Sequence, residues 1–138
     1  MGSRRKAREA SLQMLYQMDV SGVSAERAIG LFWAGLGAEE EGETRDFANE
    51  IVRGFAAKSA AIDETIRSVS QHWRLERMAR VDRNILRLGV YELLELKGIP
   101  RKVTLNEAVE LAKRYGDENS PAFINGVLDR IAAELNKE

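Results

Sequence analysis

The chain has no cysteine. That removes a disulfide framework, a thiolate metal site and a cysteine nucleophile together, and it fits a reducing, cytoplasmic setting. It has only two prolines and one histidine in 138 residues. So little proline, with a charged fraction of 31%, suits a water-soluble helical protein. The histidine, His72, has no Ser, Asp or Cys pattern around it to make it a catalytic base, and no catalytic role is assigned to it. No stretch has the length of an apolar membrane span or the build of a secretory signal, so no membrane partner is expected. Met1-Gly2-Ser3 opens like an acylation signal, but Lys6 stands where Ser or Thr is needed. The acidic run at residues 39–43, EEEGE, reads as a solvated loop rather than a metal site. No metal or cofactor is expected.

The net charge of -1 points to no partner, but the charges are unevenly spread. What the chain has in abundance is helical periodicity. The densest stretch is residues 81–96, VDRNILRLGVYELLEL. Placed on a helix, its polar residues Asn84, Arg87, Tyr91 and Glu95 fall on a narrow arc. The rest of the girth is apolar, which marks a buried hub helix. Gly89 in its middle costs about 1 kcal/mol against alanine, and close approach of another helix accounts for it.

The first helix is expected over residues 3–18, with Ala7, Ala10, Met14, Leu15 and Met18 as its buried stripe. Its first turns carry Arg4, Arg5, Lys6 and Arg8, and its end carries Asp19, the reverse of what the helix macrodipole favours. An anionic polymer would relieve that conflict; a frayed, solvated terminus is the other reading. Tyr16, two turns beyond Arg8, either extends that face or packs in the core. Ser24 is expected to cap a second helix with Ala25, Ala28, Ile29, Phe32 and Trp33 inward, stopped by Gly35 and Gly37. A third follows, with Phe47, Ile51, Val52 and Phe55. Ile62, Ile66 and Val69 belong to its continuation or to a fourth, up to about Gln71.

Trp73 and Leu75 read as a packed connector. Arg74, Arg77, Arg80, Arg83 and Arg87 would line one stripe if that stretch were a single helix, touching RNA or pairing with Glu76 and Asp82 on a solvated face. After the hub, residues 97–100 form a stop. Thr104 and Glu107 have the spacing of a capping box with Val103 before it. Gly116 suits a left-handed helix stop. Ser120, with Pro121 after it, is expected to cap a final helix whose core residues are Ile124, Val127, Leu128 and Ile131. Phe123 is ambiguous.

Taken together, these residues resemble the NusB family of bacterial transcription antitermination factors. The likeness runs through Arg4-Arg5-Lys6-Ala7-Arg8-Glu9, Gln13, Leu15 and Tyr16. It continues in Asp82-Arg83, Ile85-Leu86-Arg87-Leu88, Tyr91-Glu92-Leu93 and Ile99-Pro100. It ends in the segments NEAVELAK at 106–113 and FINGVLD at 123–129. Any one of these is weak; their order and spacing together are specific.

The resemblance implies an all-α fold of about seven helices in two small packed bundles, roughly residues 1–71 and 78–138, acting as one RNA-binding domain over 1–138. It implies no catalysis. It implies binding of boxA single-stranded RNA together with NusE, a small-subunit ribosomal protein. It also implies work alongside NusA, NusG and RNA polymerase in reading through terminators, notably in ribosomal RNA operons. Arg4, Arg5, Lys6 and Arg8 inherit the family's RNA-binding role, and Tyr16 and Phe123 match aromatic RNA contacts. Asp82 and Arg83 match the side that meets NusE. Ala122 departs from the pattern, since a basic residue there would be a natural RNA contact. Some relatives self-associate, so a homodimer stays open. Two other readings remain: the RNA-holding domain of a ribosomal RNA cytosine methyltransferase, whose glycine-rich loop and catalytic cysteine are absent here, and a protein-only helical adaptor.

Overall fold

The structure, a computed structural model, describes residues 3–70 and 72–138. The acylation-like Met1-Gly2 and the expected helix end at Gln71 lie outside them. All regular structure among the described residues is helical: α1 (Ser3–Ser21), α2 (Ala25–Ala34), α3 (Glu43–Val69), α4 (Arg80–Glu95), α5 (Arg101–Tyr115) and α6 (Ser120–Glu134), with a single 3-10 turn at Leu75–Arg77. Lys58 breaks α3 with φ -124° and ψ 20°. With the two arms of α3 counted separately, the described residues hold about seven α-helical segments, as the resemblance implies. The chain forms two compact units, Met1–Ala57 and Lys58–Glu138. Their boundary falls at that break.

In the first unit the small residues of α1 set its packing. Ala7, Ala10, Met14 and Leu15 are buried, as are Ala28, Ile29 and Trp33 of α2 and Phe47, Ala48, Ile51, Val52 and Phe55 of α3. Met18 is only half-buried. Ser11 sits in this apolar seam because its hydroxyl has a local acceptor, the carbonyl of Ala7 at 2.8 Å. Ser24 caps α2 as expected, its hydroxyl accepting from the backbone N–H of Arg27 at 3.1 Å. The chain then turns back at Gly37, where a Cβ would lie 2.4 Å from the Phe32 ring and 2.5 Å from the Trp33 ring.

The second unit is built on α4. Ile85, Leu86, Leu88, Val90 and Leu93 are at most 2% exposed, each contributing about 1.5–3 kcal/mol by leaving water. A Cβ at Gly89 would come within 2.8 Å of Leu128 Cδ1, so the glycine admits α6. The polar arc of α4 is not a solvated stripe. Asn84 is fully buried and donates to the carbonyl of Arg80 at 2.8 Å. Arg87 forks onto Asp63 of α3, with Nε–Oδ1 at 2.8 Å and Nη2–Oδ2 at 3.0 Å. Buried Glu92 accepts from the Thr104 hydroxyl at 3.1 Å.

That last bond overturns the capping box. Helix α5 starts at Arg101 behind Pro100, whose restricted φ launches the turn. Thr104 lies inside the helix with its hydroxyl committed to Glu92. Gly116 is not left-handed either: its φ is -94° and ψ -170°. Glycine is needed there because a Cβ would fall 2.4 Å from Ser120 Oγ and 2.9 Å from the carbonyl of Ala112. Ser120 does not cap α6. The cap position is Asn119, which makes no side-chain cap bond; just before it, Asp117 Oδ1 accepts from the N–H groups of Asn119 at 2.8 Å and Ser120 at 3.2 Å.

Candidate nucleic-acid interface

The cations that open α1 separate into different tasks. The Arg4 guanidinium lies 4.5 Å from the centroid of the Phe47 ring, and that of Arg8 lies 5.6 Å from the same centroid. An aromatic face of this kind attracts a cation by about 0.5–1 kcal/mol at an exposed site, which offsets the unfavourable placement of positive charge at a helix start. Arg4, Arg5 and Lys6 are exposed. Arg8, expected among the surface cations, is 3% exposed. It supports the Phe47 ring from inside. Tyr16 is 40% exposed, so it is not a core aromatic.

Lys6 is drawn to the acidic loop, Nζ 3.4 Å from Glu40 Oε1. The loop is held in turn by Arg45, which donates to the carbonyls of Glu40 and Ala38. The acidic run is thus a partly paired surface. Among the described residues no group of three or more Asp, Glu, His or Cys side chains is placed to hold a metal ion, and no helix is long and apolar enough to cross a membrane.

The second unit carries its own surface feature. A cleft of about 370 Å³ is walled by Trp73, Met78 and Phe123, with Arg77, Asp82 and Asp117 among its polar lining. The Trp73 and Phe123 rings meet edge to face, centroids 6.2 Å apart at 75°. Phe123 is half-buried in the first turn of α6. Asp82, on the first turn of α4, accepts from the Ser120 hydroxyl at 2.7 Å. Ser120 also accepts from the Asp117 N–H at 3.0 Å, so the two acidic residues are tied through one side chain. Arg83 donates to the carbonyls of Leu75 and Glu76 at 3.4 and 3.3 Å, bracing the 3-10 turn.

The expected arginine stripe does not form. Residues 74–79 are not α-helical, so Arg74 and Arg77 leave the axis that Arg80, Arg83 and Arg87 share. The pairing differs too. Glu76 bonds Arg67 at 2.7 Å, and that hydrogen bond holds its carboxyl below the usual carboxylate range. Trp73, expected in a packed connector, is 64% exposed while nearby Leu75 is buried. An aromatic beside Arg74 in a stretch without helical period was the available signal for a binding residue.

A model of the NusB family matches residues 5–133, a span that takes in the α1 cations from Arg5 onward and the whole Trp73–Phe123 cleft. The chain belongs to the NusB family. Its relatives in that family include the transcription antitermination protein NusB of Sorangium cellulosum, 56% identical over 99% of this chain and 96% of its own length. That of Myxococcus xanthus is 48% identical over 99% of each chain. Among solved structures, T. maritima NusB is 40% identical with a TM-score of 0.84, covering 95% of this chain and 91% of its own. A structure of antitermination factors NusB and NusE in complex with double-stranded RNA contains a chain 29% identical, with a TM-score of 0.88, covering 97% and 98%. The helical NusB fold thus extends over both units described above.

Proposed function

We propose that this NusB-family chain is a transcription antitermination factor that binds boxA single-stranded RNA together with NusE, and that it works by binding rather than catalysis. In this reading residues 1–138 serve as one RNA-binding domain. The observations that carry it are the exposed cations of the first unit, Arg4, Arg5 and Lys6, beside exposed Tyr16 on the same helix, and, in the second unit by itself, exposed Trp73 and half-buried Phe123. Cations track a phosphate backbone, and surface rings stack on splayed bases at about 1–3 kcal/mol each. A duplex keeps its bases stacked inside and has little use for such rings, so a single strand is the better fit. The solved relative in complex with NusE and double-stranded RNA supports NusE and RNA as the classes of partner.

Arg8 then acts indirectly, by fixing Phe47 beneath Arg4. Asp82 and Arg83, both partly exposed on α4, are the residues proposed to meet NusE, with Asp82 also at the edge of the cleft. NusA, NusG and RNA polymerase complete the assembly, and ribosomal RNA operons are its natural setting.

The test is a salt series with a boxA-like strand and a scrambled strand of equal length, with and without NusE. Three phosphate contacts predict a slope of log K against log salt of about -2, with boxA favoured and NusE strengthening the preference. Equal binding of both strands, unchanged by NusE, would leave only a generic cation patch.

A further inference from the structure

Resting on the RNA-binding reading above, we propose that Glu40 competes with RNA phosphate for Lys6, so that the loop before α3 holds the cationic start of α1 partly shut. Lys6 Nζ lies 3.4 Å from Glu40 Oε1. A carboxylate and a phosphodiester present the same chemistry to an ammonium group, anionic oxygens, and Lys6 has one positive charge to share between them. A phosphate seated on Lys6 would come close to the Glu40 carboxylate, and like charges at short range repel. Lys6 must therefore give up its ion pair to hold the strand.

Such a pair would count for nothing if the loop drifted, because a flexible exposed pair contributes almost no free energy. The loop is pinned. Arg45, in the first turn of α3, donates through Nε to the carbonyl of Glu40 and through Nη2 to that of Ala38 at 3.2 Å. Its guanidinium lies 5.0 Å from the centroid of the Trp33 ring. Trp33 is buried, and its indole N–H donates to Asn49 Oδ1 at 2.7 Å. Asn49, Trp33 and Arg45 thus tie the backbone of Glu40 to the core of the first unit. The Glu40 N–H closes the turn before it, donating to the carbonyl of Gly37 at 2.9 Å. Of the four glutamates in residues 39–43, Glu39, Glu41 and Glu43 are exposed. Glu40 is half-buried, and it is the one set against Lys6.

Every strand that places a phosphate on Lys6 breaks the same pair. Glu40 therefore weakens RNA binding as a whole without choosing between sequences, and base contacts elsewhere do the choosing. The Lys6 and Glu40 side chains are 47% and 38% exposed, so salt screens their attraction. The restraint is greatest at low ionic strength.

The experiment uses the full chain as wild type, Glu40→Gln, Lys6→Gln and the double variant, with Glu41→Gln as a control. Each is titrated against a fluorescently labelled boxA-like single strand and its scramble, at low and at high salt. Glutamine keeps the shape of the side chain and removes only its charge. Glu40→Gln is expected to bind both strands about threefold tighter at low salt, the scale of one exposed ion pair. The gain should shrink at high salt, and the ratio between the two strands should stay the same. In the Lys6→Gln background the same substitution should leave affinity nearly unchanged, as a double-mutant cycle requires of a contact that acts through Lys6. Glu41→Gln removes the same charge from an exposed neighbour and should fall well short of the threefold gain. All these positions reach solvent, so the variants should keep their helical circular dichroism. No gain from Glu40→Gln, or an equal gain without Lys6 or from Glu41→Gln, would overturn the competition and leave the RNA-binding reading intact. Absence of binding by every protein to either strand at low salt would overturn both.

Discussion

Phe47 holds two guanidinium groups on one ring, and the difference in their exposure separates two effects that charge counting merges. Arg4 is at the surface; Arg8 is 3% exposed. Arg4→Glu is expected to weaken RNA binding and flatten its salt slope by about 0.7, one phosphate contact on a single strand, with the thermal midpoint nearly unchanged. Arg8→Glu would place a carboxylate in the seam between α1 and α3. It should destabilise by about 3–5 kcal/mol, as uncompensated buried charges do, measured by urea unfolding. Equal stability of the two variants would contradict the division of labour. The cation run itself was plain in the sequence, but the burial of its last member was not. The helical spacing of Ala7 and Ala10 told which side faces inward, whereas the ring that draws in Arg8 comes from α3, far along the chain.

Helix α4 organises the second unit because nearly every face of it meets another element. Leu93, 2% exposed, should cost about 2–5 kcal/mol when cut to alanine; a value near zero in equilibrium unfolding would remove the hub from its place. A left-handed stop accepts asparagine, but Gly116 is extended and lies against Ser120. Gly116→Asn is therefore expected to destabilise by about 1–3 kcal/mol through overpacking and to disturb the Ser120–Asp82 bond. A neutral effect on the thermal midpoint would restore the left-handed reading. The Arg67–Glu76 pair links α3 to the 3-10 turn. Because Glu76 titrates below its ordinary range, its small contribution is present at neutral pH and lost as the pH falls through that lowered value. Glu76→Gln should lower the melting temperature slightly at pH 7 and leave it unchanged at strongly acid pH. Helix existence and the hub were legible from periodicity. The start of α5 and the cap of α6 were not, since Thr104 is held by Glu92 and Ser120 by Asp82, partners distant in sequence. The break at Lys58 carries no proline or glycine to announce it.

At the scale of the whole molecule, two units each bring one surface feature: exposed cations on α1 in the first, an aromatic-walled cleft in the second. The cations stood out in the sequence because charge against the helix dipole is a local conflict, visible without tertiary structure. The cleft did not, because Trp73, Asp82, Asp117 and Phe123 belong to three separate stretches and meet only when α4 and α6 pack. We propose that single-stranded RNA contacts the α1 cations of the first unit and also the Phe123 region of the second. The most direct measurement is amide chemical-shift mapping of the isotopically labelled chain titrated with a boxA-like RNA. It should move signals at Arg4, Arg5 and Lys6 and around Phe123 with the same saturation curve, while signals of the buried middle of α4 near Leu88 stay still. Shifts confined to one of the two regions, or curves that saturate at different RNA concentrations, would contradict it.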